Sequence, residues 1–392
     1  MRSTARLAAR VEEITPFHVV ETMERAWAAE RAGRRVFHLE AGEPDFGTPA
    51  PVVEAVAKAI AGGDVHYTSS LGTLELREAI SNYYAERFGV EVARERIVIT
   101  TGASASLVLA FAATIDPGDE ILMADPGYPC NRNILRVCEG KTVWVPASPE
   151  QNYQLNADLV TENWDEATKA VLVGSPANPT GSVIDAAVLA SILELVADRG
   201  GVSFIDEVYN ELVYDTPPST ALSSSDDIFV INSFSKQFGM TGWRLGWLVC
   251  PEWSLDAIRS LSQNLYISPP MPSQIAGLAA FTPQVWEIVE SRRQEFKARR
   301  DVLIEGLRAL GFKVPRMPQG GFYVYADSSD LSPDSSLLVR DMLDHADVAA
   351  TGGLDFGHFE AERHVRFSYT TSLENIKGAL ASLENYFSKR SR

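Results

Sequence analysis

A chain of 392 residues, 45% hydrophobic and 22% charged, can bury a large core without disulfide or metal staples and has room for two or more domains. Its 35 Lys and Arg against 52 Asp and Glu leave a net charge of −17, which excludes the broad basic face that nucleic-acid binding requires. The longest aliphatic run, Leu107–Ile115, is far too short to span a membrane.

The elements follow in chain order. At the N-terminus Arg2, Arg6 and Arg10 fall on one helical face without an apolar stretch, and Glu12 and Glu13 argue against a transit peptide; a short surface helix is expected. From residue 97 to residue 250, β-rich runs alternate with helical spacing. The runs are Ile97–Thr100, Ile121–Ala124, Thr142–Val145, Ala170–Gly174, Val202–Asp206, Ile228–Asn232 and Leu245–Cys250, with a helix such as Asp185–Arg199 between them. Most are apolar throughout, as strands covered on both faces are. The pattern predicts an α/β fold: a large domain with a mostly parallel seven-stranded sheet sandwiched by helices. Ligands then bind beyond the carboxyl ends of the strands. After the Pro-rich stretch Ser268–Pro272 come a long helix, Val285–Leu310, strands Phe322–Ala326 and His364–Tyr369, and a last helix, Leu373–Phe387. These predict a smaller α+β domain from residues 1–46 and 285–392, with the N-terminal helix packed against its C-terminal part and residues 47–284 forming the large domain. Cys130, Cys138 and Cys250 are odd in number and match no metal spacing, so a reducing, cytoplasmic setting without disulfide or metal is expected.

Several short stretches carry chemistry. In SFSKQFGMTGWRLGW (Ser233–Trp247), Lys236 sits among Phe234, Phe238, Met240 and Trp243, poor company for a freely solvated amine. A Lys able to shed its proton attacks carbonyl carbon and forms a Schiff base. Ser233, Ser235 and Arg244 offer two hydroxyls and a planar fork to an oxyanion. The same residues fit the SxxK of acyl-transfer enzymes, but the companion SDN and KTG motifs do not occur. Asp206 ends a strand and is either a helix N-cap or a partner for a pyridinium nitrogen; Tyr209 either packs in the core or reaches the same site. Asn178, in GSPANPTG, closes a turn or faces a ligand. Gly102, Ala103 and Ser104 open a helix, a geometry that serves a cap or an anion alike. In HVRFSY, His364, Arg366 and Ser368 share one strand face, either solvated or presenting Arg366 to a carboxylate.

Read in order, LEAGEPDFGTP (Leu39–Pro49), YTSSLGTLELREAI (Tyr67–Ile80), TTGASASL, DPGDEILMADPGYP (Asp116–Pro129), NPTG, DEVY, the Lys236 segment, PQGGFYVY and VRFSY closely resemble fold-type I pyridoxal-phosphate enzymes, specifically the class I/II aminotransferases of the aspartate aminotransferase superfamily. The resemblance implies pyridoxal 5′-phosphate as cofactor and a homodimer. It makes Lys236 the Schiff-base lysine and Asp206 the partner of the ring nitrogen. It makes Asn178 and Tyr209 donors to the ring hydroxyl oxygen and Tyr128 the aromatic stacked on the ring. Ala103, Ser104, Ser233, Ser235 and Arg244 then hold the phosphate, and Tyr67 reaches the phosphate in the neighbouring subunit. Gly42, Asn178 and Arg366 grip the substrate α-carboxylate, with Lys236, Asp206 and Tyr209 as the catalytic set. One stretch departs: ATGGLDFG (Ala350–Gly357) carries Gly352 where the family often has Pro, so a looser loop is expected beside the side-chain pocket.

The implied reaction moves an amino group from an L-amino acid to a 2-oxo acid. The pocket expected from Ile14–Phe17, Tyr128, Gly352 and Gly353 is largely neutral, which favours a neutral donor; the acceptor by family habit is 2-oxoglutarate or pyruvate. A C–S lyase or a decarboxylase on the same scaffold is the rival enzyme, since a fold does not fix a reaction. A non-catalytic ligand-binding regulatory module is opposed by the intact Lys236, the acidic charge and the lack of an N-terminal extension.

Overall fold

The computed structural model describes residues 7–14 and 16–390; Arg2, Arg6 and Thr15 lie outside the described residues. Its strands are β1 (Phe37–His38), β2 (Ile97–Thr100), β3 (Glu120–Asp125), β4 (Lys141–Pro146), β5 (Thr168–Gly174), β6 (Val202–Asp206), β7 (Phe229–Ser233), β8 (Gly246–Val249), β9 (Tyr323–Asp327), β10 (Val348–Ala349), β11 (Thr351–Gly352) and β12 (His364–Ser368).

Seven of them form one sheet in the order β2-β8-β7-β6-β5-β3-β4. Only β8 runs antiparallel to its neighbours β7 and β2. An α-helix precedes each of β3, β4, β5 and β6, whereas β6 reaches its parallel neighbour β7, and β7 its antiparallel neighbour β8, through segments without one. Successive side chains along these strands join clusters on opposite faces of the sheet. Ile97, Ile99, Val171, Val173, Ile205, Val230 and Val249 belong to one apolar cluster. Val98, Ala170, Leu172, Phe204, Phe229, Ile231 and Leu248 belong to another. Both faces are covered, which is why these strands read as continuous apolar runs.

The cover includes helix Ala186–Asp198, whose first turn is capped by the Asp185 carboxylate accepting from Ala187 and Val188 N–H. A separate three-stranded antiparallel sheet, β11-β12-β9, packs with helices Pro283–Ala309, Ser335–Ala346 and Leu373–Arg390 around Leu303, Leu338, Met342, Val365, Phe367 and Leu383. No helix among the described residues is long and apolar enough to cross a membrane.

The N-terminus corrects one expectation. Helix His18–Arg31 does pack with the C-terminal part, against β10 and β11. The turn Arg10–Glu13 does not: Arg10 Nη2 meets Glu139 at 2.9 Å and Arg136 meets Glu13 at 2.8 Å, so it docks beside helix Pro129–Val137 on the large sheet. Ion pairing, invisible in the periodicity, decides where that turn goes.

Candidate active site

Register puts the chemistry at one end of the sheet. Gly174 lies opposite Asp206, Asp206 opposite Ile231, Ser233 opposite Gly246 and Gly246 opposite Thr100. Beyond that row opens a cavity of about 410 Å³ lined by Gly42, Ala103, Ser104, Tyr128, Asn178, Asp206, Tyr209, Ser233, Ser235, Lys236, Arg244 and Arg366. Of the residues that the resemblance assigns to the cofactor or to the substrate carboxylate, Tyr67 alone is not brought there by this chain; it is 80% exposed.

One corner suits a dianion. Gly102 has φ +88°, and a Cβ there would stand 2.7 Å from Arg244 Nη2, so glycine makes room for the guanidinium at the start of helix Ala103–Thr114. The free N–H groups of that helix end favour negative charge. Ser233 and Ser235 lie buried beside it, with Ser233 Oγ accepting from Ser235 N–H at 3.0 Å.

Phe234, Phe238 and Met240 turn into the core, while Lys236 points into the cavity and Nζ donates to Gly42 O at 2.8 Å. Burial pulls its pKa down to about 8, against the pull of Glu43 and with the help of Arg366 and Arg244. Asp206 faces the cavity too. Burial pushes its carboxyl up to about 6, opposed by the Val208 N–H, the Asn131 side chain and Lys236.

Arg366 is 2% exposed, not on a solvated strand face. Its Nη1 donates to Asn178 Oδ1 at 3.1 Å and its Nη2 to Glu40 O at 2.7 Å. The guanidinium lies over Tyr323 and Phe356, 4.3 and 4.8 Å from the ring centroids, and its Nε finds no partner among the described residues. No carboxylate lies within ion-pair distance of it among those residues, so a buried cation is left ready for an anion from outside.

The side-chain wall differs from expectation. Of the expected wall, Phe17 and Tyr128 line the cavity and Ile14, Gly352 and Gly353 do not; Val19, Val20, Met23, Ile134, Trp144 and Tyr153 complete it. Nor is the Gly352 stretch loose. Gly352 pairs with Val365 in the sheet, and a Cβ on Gly353 would fall 2.2 Å from Ala361 O. Sequence reasoning also missed Tyr323, whose hydroxyl lies 3.1 Å from that of Tyr209 and whose ring carries Arg366. The strand alternation in FYVYA was the available signal, since it puts Tyr323 and Tyr325 on one face.

A mostly parallel sheet with a Lys, a strand-end Asp and an anion corner at one cavity defines the fold-type I class, and comparison with known proteins agrees. Residues 34–383 match the aminotransferase class I and II family. A valine–pyruvate aminotransferase of Mycobacterium tuberculosis is 39% identical over 386 residues, 98% of this chain and 99% of that one. An aspartate/prephenate aminotransferase of Thermus thermophilus is 36% identical over 95% of this chain and 97% of its own length. Among solved structures, an aminotransferase from Mycobacterium tuberculosis superposes with a TM-score of 0.93 at 38% identity, covering 97% of this chain and 98% of that one. The aspartate aminotransferase of Thermus thermophilus with maleate gives 0.91 at 35%, covering 97% and 99%. The chain belongs to the class I and II aminotransferase family, whose members use pyridoxal phosphate, and it is a transaminase.

Proposed function

We propose that this transaminase holds pyridoxal 5′-phosphate on Lys236 and moves an amino group from a neutral L-amino acid to a small 2-oxo acid. The donor set fits that cofactor. The Gly102–Arg244 cradle, the Ala103 and Ser104 N–H groups and the two serine hydroxyls suit a phosphate. Asp206, whose proton affinity is raised by burial, suits a protonated ring nitrogen. Tyr128 suits a ring face, and Asn178 with Tyr209 a ring oxygen. We place the cofactor in the unit 47–284 and the carboxylate grip partly in the unit formed by 1–46 and 285–392.

When bound, pyridoxal phosphate supplies an electron sink for the carbanion left at the substrate Cα. The chain's own residues do the rest. Arg366, with Asn178 beside it and the Gly42 strap, holds the α-carboxylate and so sets which Cα bond faces the sink. Lys236, with a pKa brought near neutrality, takes the proton from Cα and returns one on the other side of the transfer. Asp206 keeps the ring-nitrogen proton in place by its charge.

The observation that carries the donor class is the lining of the cavity. Its Lys and Arg residues, among the described ones, are Lys236, Arg244 and Arg366, and each already has an anion or a proton to handle. The wall is Phe17, Val19, Val20, Met23, Ile134 and Trp144, against which a second carboxylate would be buried unpaired. The Mycobacterium relative is a valine–pyruvate aminotransferase, which supports the same reading and suggests pyruvate as acceptor. With pyruvate fixed, kcat/KM for valine, methionine and phenylalanine should exceed that for aspartate by about 100-fold. A preference for aspartate would show that a cation reaches the wall from outside this chain, and would overturn the assignment.

Arg366→Lys keeps the charge and loses the fork. It should lower kcat/KM about 100-fold for every donor alike, because the group it reads is common to all. A loss confined to one donor would place Arg366 on the side chain instead.

A homodimer completes the reading, with the exposed Tyr67 reaching the partner's phosphate site. Sedimentation of the active protein should give twice the chain mass; an active monomer would remove Tyr67 from the site. The three free cysteines support a cytoplasmic setting.

A further inference from the structure

The segment Leu39–Gly42 is a strap with every carbonyl engaged. Leu39 O accepts from Ser368 N–H at 2.6 Å, Glu40 O from Arg366 Nη2 at 2.7 Å, Ala41 O from Thr370 Oγ1 at 3.2 Å and Gly42 O from Lys236 Nζ at 2.8 Å. Two of the four donors are the cations given to the substrate carboxylate and to the cofactor.

The strap is anchored by side chains two residues apart on one face of the extended chain. Glu40 is fully buried. One of its oxygens lies 2.7 Å from His38 Nδ1, and His38 Nε2 lies 3.2 Å from Glu30 on helix His18–Arg31. Held between two carboxylates, the His38 imidazole is pushed up to about 9, chiefly by the bond to Glu40, and is a cation at neutral pH. The second Glu40 oxygen is buried without a partner among the described residues. A buried carboxylate with an unmatched oxygen lowers stability, so the stability of the fold gives no reason for it.

We infer that Glu40 and His38 are positioning residues for the substrate carboxylate: Glu40, held by His38, fixes the carbonyl that aligns the Arg366 guanidinium. The contact from Glu30 ties that setting to the helix whose first turns supply Val19, Val20 and Met23 to the cavity wall. The inference rests on the reading of Arg366 as the carboxylate grip. It adds that this grip is set from behind by a pair that never touches substrate.

The test compares holoenzyme variants Glu40→Ala, His38→Ala, Glu40→Ala with His38→Ala together, Glu40→Gln and Arg366→Lys. Measured are KM for valine and for pyruvate, kcat, thermal stability, and the Kd of 3-methylbutanoate, which keeps the carboxylate and cannot react. Each alanine variant should raise both KM values and the Kd about 10-fold, with kcat within about 3-fold of the parent. The double variant should be no worse than either single one, as expected of one unit. Glu40→Gln should recover most of the loss, because it keeps a hydrogen-bond acceptor of the same length. Unchanged KM and Kd in His38→Ala, whose side chain is 27% exposed, would overturn the inference even if Glu40→Ala failed to fold. A fall in kcat and stability at constant KM would also overturn it, leaving a purely structural pair. If Arg366→Lys leaves KM and Kd unchanged, the reading of Arg366 fails; if Arg366→Lys raises them and the pair does not, the inference alone fails.

Discussion

Lys236→Ala should lose about 10⁴-fold or more in turnover while folding normally. In the function proposed above, two roles leave with one amine: the covalent hold on the cofactor and the proton carrier at Cα. The fold should survive because Phe234, Phe238 and Met240, on the same segment, make the core contacts, whereas Lys236 spends its one hydrogen bond on Gly42 O. Reduction of the parent with borohydride and mass spectrometry should find the cofactor adduct on the peptide containing Lys236. An adduct on another Lys would sink the assignment. The pKa near 8 adds a pH signature. Only the neutral amine attacks the cofactor aldehyde, so the rate of reconstitution from apoenzyme should climb about tenfold from pH 6 to 7 and level off above pH 8. A rate still rising steeply at pH 10 would mean that Lys236 is not depressed.

Asp206→Asn should lose about 10³-fold in kcat, since a neutral amide cannot hold the ring-nitrogen proton by charge. The same change should stabilise the protein without cofactor. Burial raises the folded carboxyl from its ordinary 3.8 to about 6. The folded state therefore keeps its proton below pH 4, and stability is lost as pH rises from there through 6. Above pH 6 the buried charge costs at most about 3 kcal/mol. Asparagine never ionises, so apo Asp206→Asn should melt higher than apo parent at pH 7–8 and equally at pH 4. Near-parental turnover would remove Asp206 from the mechanism; equal melting at both pH values would mean that it is not strained in the empty site.

The residues that line the cavity were legible where they stand at or soon after the end of an apolar strand. Asp206 ends VSFID, Lys236 comes four residues after IFVIN, and Ala103 and Ser104 open the helix after IVIT. Strands covered on both faces announce themselves by composition, and their carboxyl ends point to one place. The mostly parallel seven-stranded sheet was legible for the same reason; that β8 is the strand that runs the other way was not.

What stayed hidden depends on direction and not on residue type. Val19, Val20 and Met23 read as an ordinary helix start; only the docking of that helix turns them to the cavity. Its docking is set by Asp355, whose carboxylate accepts from His18 and Val19 N–H at 2.9 and 2.8 Å, a contact across most of the chain. Gly352 and Gly353 looked like freedom in a loop; pairing with Val365 fixes the first and packing against Ala361 and Tyr325 fixes the second. Arg366 could be a solvated residue by alternation alone, until β12 is seen between β9 and β11 with both faces filled.

The cavity draws on Gly42 near one end of the chain and Arg366 near the other, with strand ends and helices between them supplying the rest. During synthesis the polypeptide emerges in order, so the last wall of this chamber leaves the ribosome only when β12 does. A chain stopped or clipped before residue 364 would retain Lys236 and Asp206 and have no grip for a carboxylate. Affinity for substrate is thus a property of the finished molecule alone, and whatever binds there stabilises the folded state by mass action, by about 2.7 kcal/mol at a hundred times Kd. A cell rich in its amino acid would slow the degradation of intact copies and give no such protection to broken ones.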